Sequence, residues 1–158
     1  MTTRAIDYCG IVPILEPLDS QAGIVADSFH MGRAAHADII LQFGAVTGDA
    51  VLSLYQGATA AALTTLVPFR YRLSSGDYKA ASADLWAASD TTDADGQLTL
   101  TAATYDHRLL AIMLDAPEIA EATPWVTVDI SAASTVLLLS GLVLLTHARY
   151  KPPLTAIA

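Results

Sequence analysis

The 158-residue sequence predicts an all-β chain: an antiparallel β-sandwich, the jelly roll among its forms, led by an extended N-terminal arm. Three observations predict it. Segments rich in Val, Ile, Leu, Thr and Tyr recur between turn signals at roughly the 8–12-residue spacing of sandwiches and barrels. Two of them, 69–73 and 125–130, alternate with period two, as a half-exposed strand does. No segment carries a clear helical period, and a two-sheet sandwich is the simplest way to hide the edges of eight or so strands. No internal repeat or domain boundary is visible, so one domain spans 1–158, with 1–20 as the arm and 151–158 as a proline-stiffened tail.

Taken in order, "IVPILEPL" (Ile11 to Leu18) is apolar but broken by Pro13 and Pro17, which cannot donate to a ladder, so it reads as an extended arm or an edge. "AGIVADSF" follows. "ADIILQFGAV" (Ala37 to Val46) closes on the "GAVTGD" turn, and "AVLSLYQG" (Ala50 to Gly57) resumes in a strand, which predicts a hairpin. "LTTLVPFRYRL" (Leu63 to Leu73) sets Phe69, Tyr71 and Leu73 against Arg70 and Arg72, and "SSGD" turns the chain. "YKAASADLWAAS" has no clean period, and "DTTDADGQ" is a loop by composition. "LTLTAAT" and "RLLAIMLDA" are strands, and "PWVTVDIS" alternates Trp125, Thr127 and Asp129 against Val126, Val128 and Ile130.

"TVLLLSGLVLLTHARY" (Thr135 to Tyr150) is the most apolar stretch. Its uncharged window, Ile130 to Thr146, sits at the short edge of a bilayer-spanning length. Serines, threonines and a glycine interrupt it, and only Arg149 and Lys151 flank it, whereas a membrane helix is oriented by clusters of basic residues. Two buried strands separated by a bend at Ser140-Gly141 are the expectation. "MTTRAIDYCG" has no apolar segment of the kind that drives secretion. Sixteen acidic against eight basic residues give a net charge of −8. A polyanionic duplex would be repelled, so neither nucleic acid nor membrane is expected as a partner. Cys9 is the single cysteine, which excludes an internal disulfide, and the absence of asparagine excludes N-linked glycosylation sites.

No catalytic constellation emerges, and neither a cofactor nor a metal is expected. Asp90, Asp93, Asp95 and Gly96 suggest a calcium loop, since hard cations want several carboxylates on a sharp turn. With Gly96 at the sixth position, however, the anchoring slots fall on Thr91 and Ala102, so a solvated loop is expected. His30 and His36 have neither helical-pair nor strand-pair spacing for a shared ion. Asp106 and His107 could imitate a hydrolase dyad, yet there is no Gly-x-Ser-x-Gly elbow. Cys9 has no histidine near it in sequence to activate it. Arg70 and Arg72 are too few for a nucleic-acid patch and suit an intersubunit ion pair or a solvated face.

The "IVPILEP" segment, "DSFHMGRAAHADIILQFGAVTGDAVLSLYQG", the aromatic "FRYRLSSGDY" strand and the closing "ARYKPPLTAIA" together resemble small structural proteins of tailed bacteriophages that decorate or cement the head. The resemblance rests on order and texture across most of the chain. It implies a virion protein on the outer capsid surface, made in the host cytoplasm, with the major capsid protein as partner and a homo-oligomer, a trimer by lattice symmetry, as its state. The candidate contacts are Ile11, Pro13, Ile14, Leu15 and Pro17 of the arm, Arg70 and Arg72, and Arg149 and Tyr150 near the tail. A β-sandwich binding module for carbohydrate or a host surface, or a tail or neck accessory protein, is the alternative.

Overall fold

In "LLAIMLD", Leu110, Ile112 and Leu114 fall on one side of a strand and are buried, while Leu109, Ala111 and Met113 between them are half-buried. The cause is the period of two: successive side chains point to opposite faces. The computed structural model describes residues 9–79, 85–88, 90–91 and 95–148. The strands are β1 (Cys9–Asp19), β2 (Ile24–Val25), β3 (Phe29–His30), β4 (Ala34–Val46), β5 (Ala50–Gly57), β6 (Thr65–Leu66), β7 (Arg70–Leu73), β8 (Asp90–Thr91), β9 (Gln97–Leu100), β10 (Leu109–Asp115), β11 (Trp125–Ile130) and β12 (Leu137–Ala148). One helical turn, α1 (Ala102–Tyr105), stands between β9 and β10.

The first sheet runs β1-β12-β4-β10-β7-β8 and the second β2-β11-β5-β6, with β3 also on β11 and β9 also on β5. Every pairing is antiparallel. The chain folds as a long hairpin, β1 on β12, β2 and β3 on β11, β4 on β10 and β5 on β9. That hairpin is rolled so that β12 also meets β4 and β11 also meets β5. Such a roll is a jelly roll, the sandwich form in which two Greek keys share a core. Ile39, Leu41 and Phe43 of β4 and Val143 of β12 face Leu52 and Leu54 of β5 and Val126 of β11, all at 0% exposure. Each such side chain contributes about 1.5–3 kcal/mol by leaving water.

The apolar stretch is therefore a strand. β12 lies between β1 and β4, with Leu139, Val143 and Leu145 in the core. Among the described residues no helix is long and apolar enough to cross a membrane. The bend expected at Ser140-Gly141 is absent, because both residues are paired with β4 and the strand runs through them. Gly141 is there for room: a Cβ on it would lie 2.6 Å from Leu41 Cδ2. The irregularity falls on β1 instead, whose register slips between Pro13 and Leu15 and again before Leu18.

Other expectations are corrected. β4 and β5 form no hairpin. The Thr47–Asp49 connection crosses between the sheets, tied by Thr47 N–H to Val136 O at 2.9 Å and by Ala102 N–H to Asp49 Oδ1 at 3.1 Å. Both edges of β4 are already taken by β12 and β10. "LTTLVPFRYRL" is split into β6 and β7, in different sheets, by the chain around Pro68. "LTLTAAT" ends in α1, and Asp90–Thr91 pairs with β7 where a loop was expected. Gly96 opens β9 at φ +63°, where an added Cβ would lie 2.6 Å from Val67 O; only glycine suits that left-handed position. Over residues 9–19 the arm is an edge strand, bonded to β12 along its length.

Candidate interaction surface

The two sheets turn different outer faces to their surroundings. On the second sheet the outward positions are mixed: Thr127 and Asp129 on β11 and Ser53 and Tyr55 on β5 share that face with Trp125, Val51 and the exposed Val25. Thr127 is nonetheless fully buried, because Ser28 Oγ lies 2.7 Å from its hydroxyl and itself accepts from Ala61 N–H at 2.7 Å, which brings the 58–64 loop over it. Burial raises the Asp129 carboxyl above its ordinary range.

On the first sheet the outward positions are largely apolar. Register aligns Pro13, Leu142, Ile40, Ala111 and Arg72 in one row across five strands, and Ile11, Leu144, Asp38, Met113 and Arg70 in the next. Ile11 is 47% exposed, and Ile40, Met113, Leu142 and Leu144 are half-buried. An antiparallel sheet with one wet side should alternate apolar with polar; β12 is apolar at both parities. Burial among these neighbours raises the Asp38 carboxyl, His36 opposing the shift and Asp115 adding to it. Toward the far end, Pro17, Gln42, Gly44, Tyr78, Leu138 and Ser140 line a shallow groove of about 430 Å³.

Of the sequence-derived contact residues, Ile11, Pro13 and Pro17 are exposed, the first two in those rows and the third in the groove. Ile14 and Leu15 are not surface residues: the register slip turns both inward, to 3% and 7% exposure. Arg72 is exposed. Arg70 is engaged within its own chain, its Nη2 donating to Asp115 Oδ2 at 2.6 Å with Glu118 Oε1 at 3.6 Å. Arg149 and Tyr150 lie outside the described residues. The sequence reading missed Ile40, Met113, Leu142 and Leu144; the signal present was the apolar character of both parities of "LLLSGLVLLT".

At the Asp115 end of this face, His36 Nδ1 meets Asp115 Oδ1 at 2.6 Å, and the His147 ring stands edge-on to His36 at 5.3 Å. The hydrogen bond from His36, then that from Arg70, hold the Asp115 carboxyl below its ordinary range. A carboxyl depressed in the folded state adds stability above its unfolded pKa of about 3.9, and that stability is lost as pH falls through the folded value. Asp115→Asn is therefore expected to lower stability at neutral pH by under about 1 kcal/mol, the pair being roughly two-fifths exposed. The gap to the parent should close below about pH 4. Urea unfolding at neutral and acid pH measures it.

The other candidate groups lie away from this network. His30 Nδ1 accepts from Gly32 N–H at 3.0 Å and its ring meets Trp125 edge-on, apart from the His36 network. Among the described residues no three His, Cys, Asp or Glu are placed to hold a metal ion; Asp93 lies outside them. His107 is met by Lys79 Nζ at Nε2 and by the Tyr78 hydroxyl 3.5 Å from Nδ1, and Asp106 Oδ1 accepts from Val46 N–H at 2.9 Å. Asp106 Oδ1 itself lies 3.7 Å from His107 Nε2, and the other partners of the supposed dyad are a lysine, a tyrosine and a backbone amide. The Cys9 thiol is half-buried at the start of β1.

No protein-family model and no curated protein matches this chain. Among solved structures, a chain of the crystal structure of the T13 IBDV viral particle is similar over 91% of this chain and 43% of that one, at 12% identity and a TM-score of 0.22. This chain thus spans less than half of that chain's length, and a likeness so loose bears on neither fold detail nor function.

Proposed function

We propose that the chain is a structural protein of a virion, decorating and stabilising the outer face of a tailed-phage head without catalysis. The observation that carries this reading is the jelly roll whose first sheet, apolar toward the core, also carries Ile11, Ile40, Met113, Leu142 and Leu144 on its outer side. One side fills the core, and the other is surplus apolar surface of the kind that protein contacts cover. Jelly rolls serve in capsids and in lectins, and a fold alone does not assign a role; the apolar outer face favours assembly over chemistry. A net charge of −8 suits a position outside the shell, away from packaged DNA. Mixing the purified protein with undecorated heads is expected to give saturable, stoichiometric binding and a higher rupture temperature. Heads that bind none of it would defeat the reading.

One observation favours a second reading, a glycan-binding module. Trp86, taken from sequence as partly buried, is 44% exposed, and exposed aromatics stack on sugars. A glycan array would show binding lost in Trp86→Ala; an array without hits removes this reading.

A further inference from the structure

We propose that His36 and His147, brought together at the Asp115 end of the first sheet's outer face, form a two-point site for a divalent metal ion of the zinc and nickel kind. The inference goes beyond the shell reading and uses residues to which that reading gives no role.

The backbone puts the second histidine there. Along β12 the odd positions Leu139, Val143 and Leu145 point into the core, and by the period of two His147 should follow them inward. It is exposed instead, at φ +53°, a left-handed conformation, and its ring stands out beside that of His36. Register is kept on either side of it, Thr146 on His36 and Ala148 on Ala34, so the departure is local to this one residue. Such a conformation is disfavoured for residues with a Cβ and collects where a site requires it.

Spacing and tautomer suit an ion. Two imidazoles on one tetrahedral ion, each nitrogen about 2.0–2.1 Å from it, set their ring centroids about 5.2 Å apart. Those of His36 and His147 are 5.3 Å apart. The Asp115 carboxylate can only accept, so in the neutral ring its 2.6 Å contact makes His36 Nδ1 the donor and leaves Nε2 with its lone pair. A carboxylate behind a histidine in this way fixes the ring and strengthens it as a ligand. His147 is exposed, so its ring can turn to aim a nitrogen at the shared point.

Charge favours a cation. Asp38, two residues along β4 on the same face, joins Asp115 and Glu118 in setting three negative charges against the one positive charge of Arg70. Imidazole nitrogens favour zinc, copper and nickel, whereas magnesium and calcium want oxygen ligands. No third His, Cys, Asp or Glu among the described residues is placed to join the pair, so water completes the coordination sphere. An ion held at two points on an exposed face exchanges readily with solvent.

Calorimetric titration of the chelator-treated full chain with zinc or nickel chloride, up to about 1 mM and near pH ~7.5, tests this. The expected result is saturable binding of one ion per chain, which magnesium chloride does not reproduce. His147→Asn, which keeps a residue type at ease in the left-handed region, should weaken binding at least about tenfold, and His36→Ala as much. Both positions are exposed, so the variants keep the fold, and circular dichroism verifies that. A chain that takes up neither zinc nor nickel in this range overturns the proposal. So does equal binding of magnesium, and so does binding that survives either histidine substitution, which places the ion elsewhere on the chain.

Discussion

Val143→Lys is expected to unfold the protein, whereas Leu144→Lys, one residue further along β12, should leave the fold of the single chain intact. Val143 is fully buried between the sheets, and an ammonium there has no water and no partner. Burying an unpaired charge costs more than most domains can lose, so the expected destabilisation exceeds about 4 kcal/mol. Leu144 lies on the other side of the same strand, half-exposed and opposite Asp38. A lysine there keeps its head in water beside a carboxylate, and the expected change is under about 1 kcal/mol. Thermal unfolding followed by far-ultraviolet circular dichroism measures both. Equal damage from the two substitutions would contradict a two-faced strand, and equal tolerance would contradict a buried one.

Phe43→Ala should lower stability by about 3–5 kcal/mol, the cost of lost transfer free energy together with the cavity left behind. Phe43 is fully buried on β4, and its ring packs edge-on against Tyr105 of α1 at 5.6 Å. Because β4 is held by β12 on one side and β10 on the other, its backbone cannot collapse into the vacated space. For a chain of this size the thermal midpoint should fall by about 10 °C or more. Phe43→Leu, which refills most of the volume, should lose only about a third of that. Urea midpoints at constant slope distinguish a loss of stability from a loss of cooperativity.

How much of this was legible beforehand depended on the range of the information. The period of two in β11 is local, and Val126 and Val128 could be placed on one face from the sequence alone. Which sheet a strand joins is not local. "ADIILQFGAV" and "AVLSLYQG" looked like a hairpin because the turn between them is short; what decides against it is the occupation of both β4 edges by strands far along the chain. Ile14 and Leu15 were misplaced because the flanking prolines resemble those of a free arm, while the slip that turns both inward exists only through pairing with β12. The outer face was hidden for the same reason. Nothing near Ile40 in sequence announces Leu142 and Ala111 as neighbours, since register alone puts them side by side.

The central position of β12 also constrains how the molecule is made. Residues 137–148 fill the slot between residues 9–19 and 34–46, so during synthesis β1 waits without its ladder until nearly the whole sandwich has been translated. Closing so long a loop makes the last step of folding slow. Until then the bare edges of β1 and β4 are open to any passing strand, and a ribosome paused before Leu137 holds a nascent chain at its greatest risk of aggregation.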